Sequence, residues 1–286
     1  MPETRSWDGA AYDRLSTPME RLGREVMERL ELRGDETVLD AGCGSGRLTE
    51  LLIERVPDGR VIGVDMSASM IEAARGRLGD AVDLRVADLV GLDLGADTVD
   101  VVFSTATFHW IADHDALFAS LRRALRAGGR LVAQCGGAGN IATVHAAARQ
   151  AGDEPAFRAA FDGWRGPWNF ATPEDTERRL AAAGFRDVRC WLADRPVQPD
   201  DPREYLRNIN LGAHLERLPD DQHDAYLDAV LAILGERPTI DYVRLNIDAT
   251  AAYAHGPRAA DWLRTRPGRI ALVVWPDATT TVIDGR

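Results

Sequence analysis

The fold is decided by the stretch Val38-Leu39-Asp40-Ala41-Gly42-Cys43-Gly44-Ser45-Gly46, an apolar run that ends in an acid and continues into alternating glycines. Glycine has no Cβ, so such a turn can adopt positive φ and let a ligand lie against the backbone. A helix that begins after the turn presents N–H groups without partners in the helix. The pattern therefore predicts a strand, a ligand-binding turn and a helix, in that order.

Outward from this stretch, short apolar runs alternate with segments of helical spacing. The predicted strands are Thr37–Asp40, Arg60–Asp65, Asp83–Val86, Thr98–Ser104 and Arg130–Cys135, and an amphipathic helix, Pro18–Leu32, precedes them. Parallel strands joined by right-handed crossover helices form a doubly wound, Rossmann-like α/β sheet. In such sheets ligands bind at the carboxyl ends of the strands.

The second half of the chain is less regular but extends the same architecture. Its predicted elements are a helix that begins at Thr172, a strand Val188–Ala193, helices Pro202–Leu218 and Asp221–Leu234, and a strand Thr239–Ile247. They predict a seven-stranded αβα sandwich with a helical cap inserted between the last two core strands.

We predict one domain, residues 1–250, in which residues 136–170 and 201–236 are cap segments on the substrate side. Residues 251–286 are predicted to be a C-terminal extension whose role the sequence does not indicate. Within it, Ile270–Trp275 and Thr279–Ile283 are spaced as the two strands of a hairpin.

The glycine turn favours a cationic cofactor over a dinucleotide. A dinucleotide-binding fingerprint would have glycine at the position of Arg47. Asp40 would repel a pyrophosphate but suits the cationic amino-acid end of S-adenosylmethionine (SAM), directly or through water. The turn therefore predicts a sulfonium cofactor and disfavours an NAD-dependent oxidoreductase.

Two further acids follow the next strands. Asp65 ends the second strand, where its carboxylate can accept hydrogen bonds from both hydroxyls of a ribose. Asp88 ends the third strand, where an adenine amino group could donate to it. With Asp40, they place acids at three successive strand ends that share one crevice.

These motifs resemble the SAM-binding motifs of the Rossmann-fold methyltransferases over roughly Thr37–Cys135. Trp7-Asp8 with Tyr12, and Ser104-Thr105-Ala106-Thr107-Phe108-His109-Trp110-Ile111, are similar to the group of trans-aconitate and juvenile hormone acid methyltransferases, which esterify small carboxylates. The resemblance implies that Trp110 lines the site of the substrate carboxylate and that Trp7 and Tyr12 close over the cofactor. The residues thereby predicted to bind the cofactor are Trp7, Tyr12, Asp40, Ala41, Gly42, Cys43, Gly44, Asp65, Met66, Ala87, Asp88, Leu89 and Ser104.

His109 stands where the trans-aconitate enzymes tend to carry glutamine, so the resemblance does not fix the substrate. Histidine titrates near neutrality, which makes His109 the candidate catalytic base. A carboxylate acceptor is already ionised and needs no base, so the alternative is that His109 orients Trp110 or binds substrate. Trp164, Trp168 and Asn169 are predicted to cover an apolar or aromatic substrate, against the alternative of simple packing.

Amino-acid composition indicates which kinds of partner the protein is expected to lack. The formal charge of −11 disfavours nucleic acid as a substrate, because phosphate backbones bind to basic surfaces. The three cysteines and the spacing of the histidines indicate no metal site. The sequence Met1–Leu15 has no apolar region typical of a signal peptide and no run is long enough to span a membrane, which predicts a cytoplasmic protein. The oligomeric state is not predicted.

The function favoured by the sequence is SAM-dependent methylation of a small molecule, with O-methylation of a carboxylate first. C- or N-methylation, and a non-methylating SAM-dependent reaction of specialised metabolism, remain alternatives because fold does not fix chemistry. A regulator that binds SAM without turnover is a further alternative.

Overall fold

The computed structural model describes residues 17–253 and two strands at 270–274 and 280–284. Seven strands form one sheet in the order β3-β2-β1-β4-β5-β7-β6. They are β1 Thr37–Ala41, β2 Arg60–Asp65, β3 Asp83–Val86, β4 Val99–Thr105, β5 Leu125–Gly136, β6 Phe185–Asp194 and β7 Val243–Ala251. The first five pair in parallel, and β7 runs antiparallel to both of its neighbours. The predicted seven-stranded α/β sheet is confirmed.

Helices connect these strands. They are α1 Thr17–Met27, α2 Arg47–Arg55, α3 Ala68–Leu78, α4 His114–Ala124, α5 Ala142–Gly152, α6 Arg158–Phe161, α7 Pro173–Ala182, α8 Pro202–Tyr205, α9 Gly212–Leu215 and α10 His223–Leu234. The predicted start of α7 is confirmed: the Thr172 hydroxyl accepts the N–H of Asp175, and Pro173 occupies the first turn, where its missing N–H costs nothing.

Both faces of the sheet are covered, which is why apolar residues follow one another directly in its central strands. Val38 belongs to the hydrophobic cluster under α1 and α2, whereas its neighbour Leu39 belongs to the cluster that contains Leu117 of α4. Successive side chains of a strand point to opposite faces, so one apolar run fills both layers. All five residues of β1 are buried.

The inserted helices form a cap with its own hydrophobic cluster. This cluster joins α5 to the segment between β6 and β7, and Tyr226 of α10 donates a hydrogen bond to the carbonyl of Ala148 at 2.8 Å. Tyr226 is fully buried. The two segments that we interpreted as substrate-side caps therefore pack against each other.

Several predicted element boundaries were wrong. The segment Pro202–Leu218 is not one helix, because a π-helix, Leu206–Asn210, separates α8 from α9. The last core strand starts at Val243 rather than Thr239, since Ile240 is buried in the cap cluster and forms only an isolated bridge to Val197. Helix α1 ends at Met27, before Leu32. The C-terminal hairpin is confirmed as an antiparallel pair, β8 Ile270–Val274 and β9 Thr280–Asp284.

Candidate active site

The glycine turn leaves β1 at its carboxyl end and is held by β2. The N–H groups of Gly42 and Cys43 both donate to the carbonyl of Val64, at 2.8 and 3.0 Å. Gly42 has φ +86°, and a Cβ added there would lie 2.0 Å from the Thr107 hydroxyl oxygen, so packing requires glycine. Gly44 has φ +53°, but a Cβ there would meet no atom within 4 Å. At Gly44 the bare backbone therefore faces open space.

Asp40 lies beneath this turn and is 2% exposed. Its carboxylate accepts a hydrogen bond from the Thr49 hydroxyl at 2.7 Å. The pKa of Asp40 is raised to about 7, mainly by burial and to a smaller extent by the charge of Asp65, whereas the bond from Thr49 opposes the shift. A buried acid with such a pKa becomes a stable carboxylate when a cation arrives beside it.

Asp65 receives two backbone N–H groups at the start of the next crossover. Its Oδ2 accepts from Gly44 at 2.9 Å and its Oδ1 accepts from Ser67 at 2.8 Å. Burial raises the pKa of Asp65, although these N–H bonds act in the opposite direction. Each carboxylate oxygen keeps a further lone pair for another donor.

The third acid, Asp88, comes after β3, which is an edge strand of the sheet. Asp88 is exposed, and its Oδ1 accepts the N–H of Val90 at 2.9 Å. Its neighbour Ala87 donates its N–H to the carbonyl of Asp65 at 3.0 Å, which joins the ends of β2 and β3. Leu89 is buried, while Met66 is 46% exposed. The three acids thus lie at or near the carboxyl ends of three adjacent strands, as their sequence positions implied.

Of the remaining residues predicted to bind the cofactor, some are buried in the sheet and two lie outside the part of the chain that the structure describes. Ser104 is 1% exposed, and its hydroxyl donates to the carbonyl of Ala41 at 2.6 Å, so it ties β4 to β1. Cys43 is also buried. Trp7 and Tyr12 lie outside the described residues.

A loop after β4 carries His109 and Trp110 to the same edge. The Thr107 hydroxyl donates to the carbonyls of Thr105 and Gly42, at 2.9 and 3.4 Å, and so holds this loop against the glycine turn. His109 is 8% exposed, and its Nδ1 accepts the N–H of Gly136 at 3.3 Å. A ring nitrogen that accepts is unprotonated, so the proton of the neutral imidazole is on Nε2. Burial, helped by the charges of Arg244 and His114, holds the pKa of His109 well below its ordinary value.

Arg244 was missed by the sequence analysis. It stands opposite Gly136 in the β5–β7 register and is 2% exposed. Its Nε donates to the Gln134 side-chain carbonyl at 3.3 Å, and the Gln134 amide in turn donates to Asn246 at 3.0 Å. One arginine in a strand carries no local signal, and only the strand register brings its charge beside His109.

Aromatic rings line a cavity of about 550 Å³ within the cap. Ring centroids of Trp110 and Trp168 lie 5.9 Å apart, those of His145 and Trp168 4.6 Å, and those of Trp164 and His214 4.8 Å. The described lining consists of His145, Ala148, Arg149, Gly152, Asp153, Phe161, Gly163, Trp164, Arg165, Trp168 and His214. The predicted Trp164 and Trp168 therefore share this cavity with His214 and with His145, which the sequence analysis did not assign to the site.

Asn169 makes two hydrogen bonds to the loop after β4. Its backbone N–H donates to the carbonyl of His109 at 2.8 Å, and its side-chain amide donates to the carbonyl of Ala112 at 3.0 Å. Asn169 thus fastens the tryptophan-bearing segment to the loop after β4, and its contact with substrate stays a prediction.

Comparison with known proteins decides the family. Residues 39–133 match a family model described as a methyltransferase domain. The trans-aconitate 2-methyltransferase of Azoarcus sp. (strain BH72) is 33% identical over 237 residues, which cover 78% of this chain and 87% of that protein. The enzyme of the same name from Acidovorax sp. (strain JS42) is 32% identical over 251 residues, covering 82% and 90%. The chain belongs to the SAM-dependent Rossmann-fold methyltransferases.

A solved methyltransferase structure has the same fold. Phosphoethanolamine N-methyltransferase 2 of Haemonchus contortus, in complex with S-adenosyl-L-methionine, superposes with a TM-score of 0.57 at 20% identity, covering 86% of this chain and 57% of that chain. At this identity the likeness shows the fold alone. The expected methyltransferase fold and the expected SAM cofactor are confirmed.

The glycine turn of this methyltransferase fits SAM. Bound SAM supplies an electrophilic methyl group on a positively charged sulfur. The open surface at Gly44 admits a ligand against the backbone, and the buried acid Asp40 suits a cationic group. Met66 leaves nearly half of an apolar side chain available for contact. In residues 17–253 no group of histidines, cysteines or acids is arranged to hold a metal ion, and no helix there is long and apolar enough to cross a membrane.

Proposed function

We propose that this methyltransferase transfers the methyl group of SAM to a carboxylate oxygen of a small molecule, giving a methyl ester and S-adenosylhomocysteine. The observation that carries the proposal is the state of His109. Its Nδ1 already accepts a hydrogen bond, and burial holds its pKa well below the ordinary value. A histidine in this state is a poor proton acceptor. The acceptor must therefore arrive ionised, as a carboxylate does at neutral pH.

Arg244 supports an anionic acceptor. Its guanidinium is buried beside His109, and the Nε2–H of His109 is a second donor for an acceptor oxygen. We assign the acceptor carboxylate to the space between these two residues and Trp110. His109 would act by positioning the acceptor, and not as a base. The names of the trans-aconitate 2-methyltransferases agree with this acceptor class.

The cofactor is proposed to lie along the carboxyl ends of β1, β2 and β3. Asp40 would face its cationic amino group, Asp65 its ribose hydroxyls and Asp88 its adenine amino group. Met66 and Leu89 would give apolar contact beside the adenine, and Gly42 and Gly44 would give backbone surface. The proposed set also contains Trp7, Tyr12, Ala41, Cys43, Ala87 and Ser104. The segments 136–170 and 201–236 would cover the acceptor and exclude water.

The test is a panel of small carboxylic acids, each paired with the alcohol and the amine of the same skeleton. With SAM in excess, we expect S-adenosylhomocysteine release with the acids and a product that mild alkali hydrolyses. At saturating SAM, kcat for an acid should not depend on pH between about 6.5 and 9, because no group with an ordinary histidine pKa takes part. Faster turnover of the alcohols or amines would contradict the proposal.

Two variants separate the roles. Arg244→Gln should raise KM for the acids about tenfold or more, since a buried charge-assisted hydrogen bond contributes about 1.5–3 kcal/mol. The affinity for SAM should stay unchanged. His109→Phe should lower kcat without changing the shape of the pH profile. A wild-type pH limb that disappears in His109→Phe would show instead that His109 is a base.

A further inference from the structure

We propose that the cavity lined by Trp164 and Trp168 binds a flat aromatic ring of the acceptor, and that a hydroxyl or carbonyl group on this ring makes a hydrogen bond to His145. The inference rests on the proposed function, because it names the acceptor class for that reaction. The acceptor would be an aryl carboxylic acid with its carboxylate at one end and a polar substituent at the other.

The walls of the cavity are suited to a flat apolar body. The Trp164 and Trp168 rings are inclined at 71° with centroids 5.9 Å apart, and Phe161 lies beside Trp164 at 5.6 Å. Aromatic faces and edges bind other aromatic rings in stacked or edge-to-face geometry. A volume of about 550 Å³ is in the range of sites for organic ligands of moderate size.

His145 provides the polar atom in this wall. Its Nε2 is buried and has no hydrogen-bond partner among the described residues. The centroid of the His145 ring lies 4.6 Å from that of Trp168 and 5.7 Å from that of Phe170. Burial, helped by the charge of Arg149, lowers the pKa of His145 to about 4, so the imidazole is neutral in the working pH range. A buried polar nitrogen without a partner is costly, and a ligand hydroxyl or carbonyl would satisfy it.

The cavity is linked to the reacting end of the site by direct contacts. The ring centroid of Trp168 lies 5.9 Å from that of Trp110, which belongs to the loop after β4. The same loop receives the N–H of Asn169 on the carbonyl of His109 and contacts the glycine turn through Thr107. One rigid acceptor could therefore place its carboxylate beside Trp110 and its ring in the cavity.

The charges around the cavity argue against a polycarboxylate as its occupant. The arginines of the lining, Arg149 and Arg165, are both exposed, so water screens them. Asp153 adds a negative charge to the same lining. Additional carboxylates would have to leave water for aromatic walls without buried positive partners, which is unfavourable.

The experiment uses three acceptors with the full chain: para-hydroxycinnamate, which carries a ring and a hydroxyl; cinnamate, which lacks the hydroxyl; and crotonate, which lacks the ring. Methyl transfer is followed by S-adenosylhomocysteine release, and binding to the S-adenosylhomocysteine-loaded protein by calorimetry. We expect kcat/KM to be highest for para-hydroxycinnamate and lowest for crotonate. Trans-aconitate is the competing substrate.

Variants test each contact. Trp164→Leu should reduce the preference for para-hydroxycinnamate over crotonate at least tenfold, mainly through KM. His145→Phe keeps a ring but removes the nitrogen, so it should reduce the preference for para-hydroxycinnamate over cinnamate about fivefold. Trp191→Leu is the matched control, because Trp191 contacts Arg29 and Arg189 outside this cavity. Unchanged SAM affinity and unchanged thermal unfolding show that a variant is folded.

The outcomes separate the two proposals. If trans-aconitate is the better substrate and Trp164→Leu leaves all preferences unchanged, the aromatic site is wrong while ester formation stands. If no acid is methylated but para-hydroxycinnamate binds with an affinity that depends on Trp164 and His145, the aromatic site stands and ester formation is wrong. Para-hydroxycinnamate binding that is equal in all variants overturns the aromatic site whatever the turnover.

Discussion

The affinity for SAM should weaken in acid because of Asp40. In the free protein the pKa of this carboxyl is raised to about 7, first by burial and then by the charge of Asp65. The proposed partner, the cationic end of SAM, binds the ionised form, so binding releases a proton wherever Asp40 is protonated. About half of the molecules are ionised at pH 7 and about 3% at pH 5.5, so Kd should rise about fifteenfold over this interval.

Calorimetry provides the assay. Titration of SAM at about pH 7 and at about pH 5.5, each in two buffers with different heats of ionisation, gives both Kd and the number of protons released. Asp40→Asn should bind SAM weakly and with little dependence on pH. Asp80→Asn, which changes an exposed acid, is the matched control and should behave as the wild type. A constant wild-type Kd, or an unchanged pH dependence in Asp40→Asn, would refute the reasoning.

The same carboxyl should make the cofactor-free protein less stable as pH rises. A group whose folded pKa is raised from 3.8 to about 7 holds its proton more tightly in the folded state. The free energy of unfolding therefore falls as pH rises above 3.8 and reaches its lower value above about 7, a loss of about 4 kcal/mol. Above pH 7, Asp40→Asn without SAM should unfold at a higher temperature than the wild type.

Three further predictions concern Gly44, Leu117 and His145. Gly44→Ala puts a methyl group at φ +53° on the open surface, so SAM affinity should fall about tenfold while stability falls by only about 1 kcal/mol; unchanged affinity would contradict the assigned cofactor position. Leu117→Ala removes a fully buried side chain and should lower the free energy of urea unfolding by about 3 kcal/mol; a loss under about 1 kcal/mol would contradict its core position. The pKa of His145 is about 4 in the folded protein and 6.5 in the unfolded chain, so the free energy of unfolding of the wild type should fall by up to about 3 kcal/mol as pH drops from 6.5 to 4. An equal fall in His145→Phe would exclude His145 as the cause.

The cofactor half of the site could be predicted because its signals are local. Asp40 and Asp65 lie at the ends of buried strands, the glycines follow the first of these strands, and parallel strands bring their carboxyl ends to one edge. No long-range information was needed to place the carboxylates together. What the sequence could not give was the ionisation of Asp40, which depends on burial and on the Thr49 hydroxyl.

The acceptor half could be predicted only in part, because it is assembled from distant segments. Arg244 reaches the site through its register opposite Gly136, in a strand that begins at Val243 and not at Thr239. The alternating pattern before Val243 resembles a strand, but Ile240 is used by the cap instead. Periodicity cannot distinguish these two uses of an apolar residue.

The two halves meet where the loop after β4 touches the glycine turn. A Cβ on Gly42 would overlap Thr107, so the position of this loop and the shape of the turn are not independent. The loop also carries His109 and Trp110, whose surroundings come from β5, β7 and the tryptophan-bearing segment. Changes in the cap can therefore alter the acceptor without altering the acids that face the cofactor, whereas a change at Thr107 or Gly42 should affect both. The sequence defines the cofactor more sharply than the acceptor because the cofactor edge is built within one continuous stretch, whereas the acceptor cavity is lined by cap residues from distant parts of the chain.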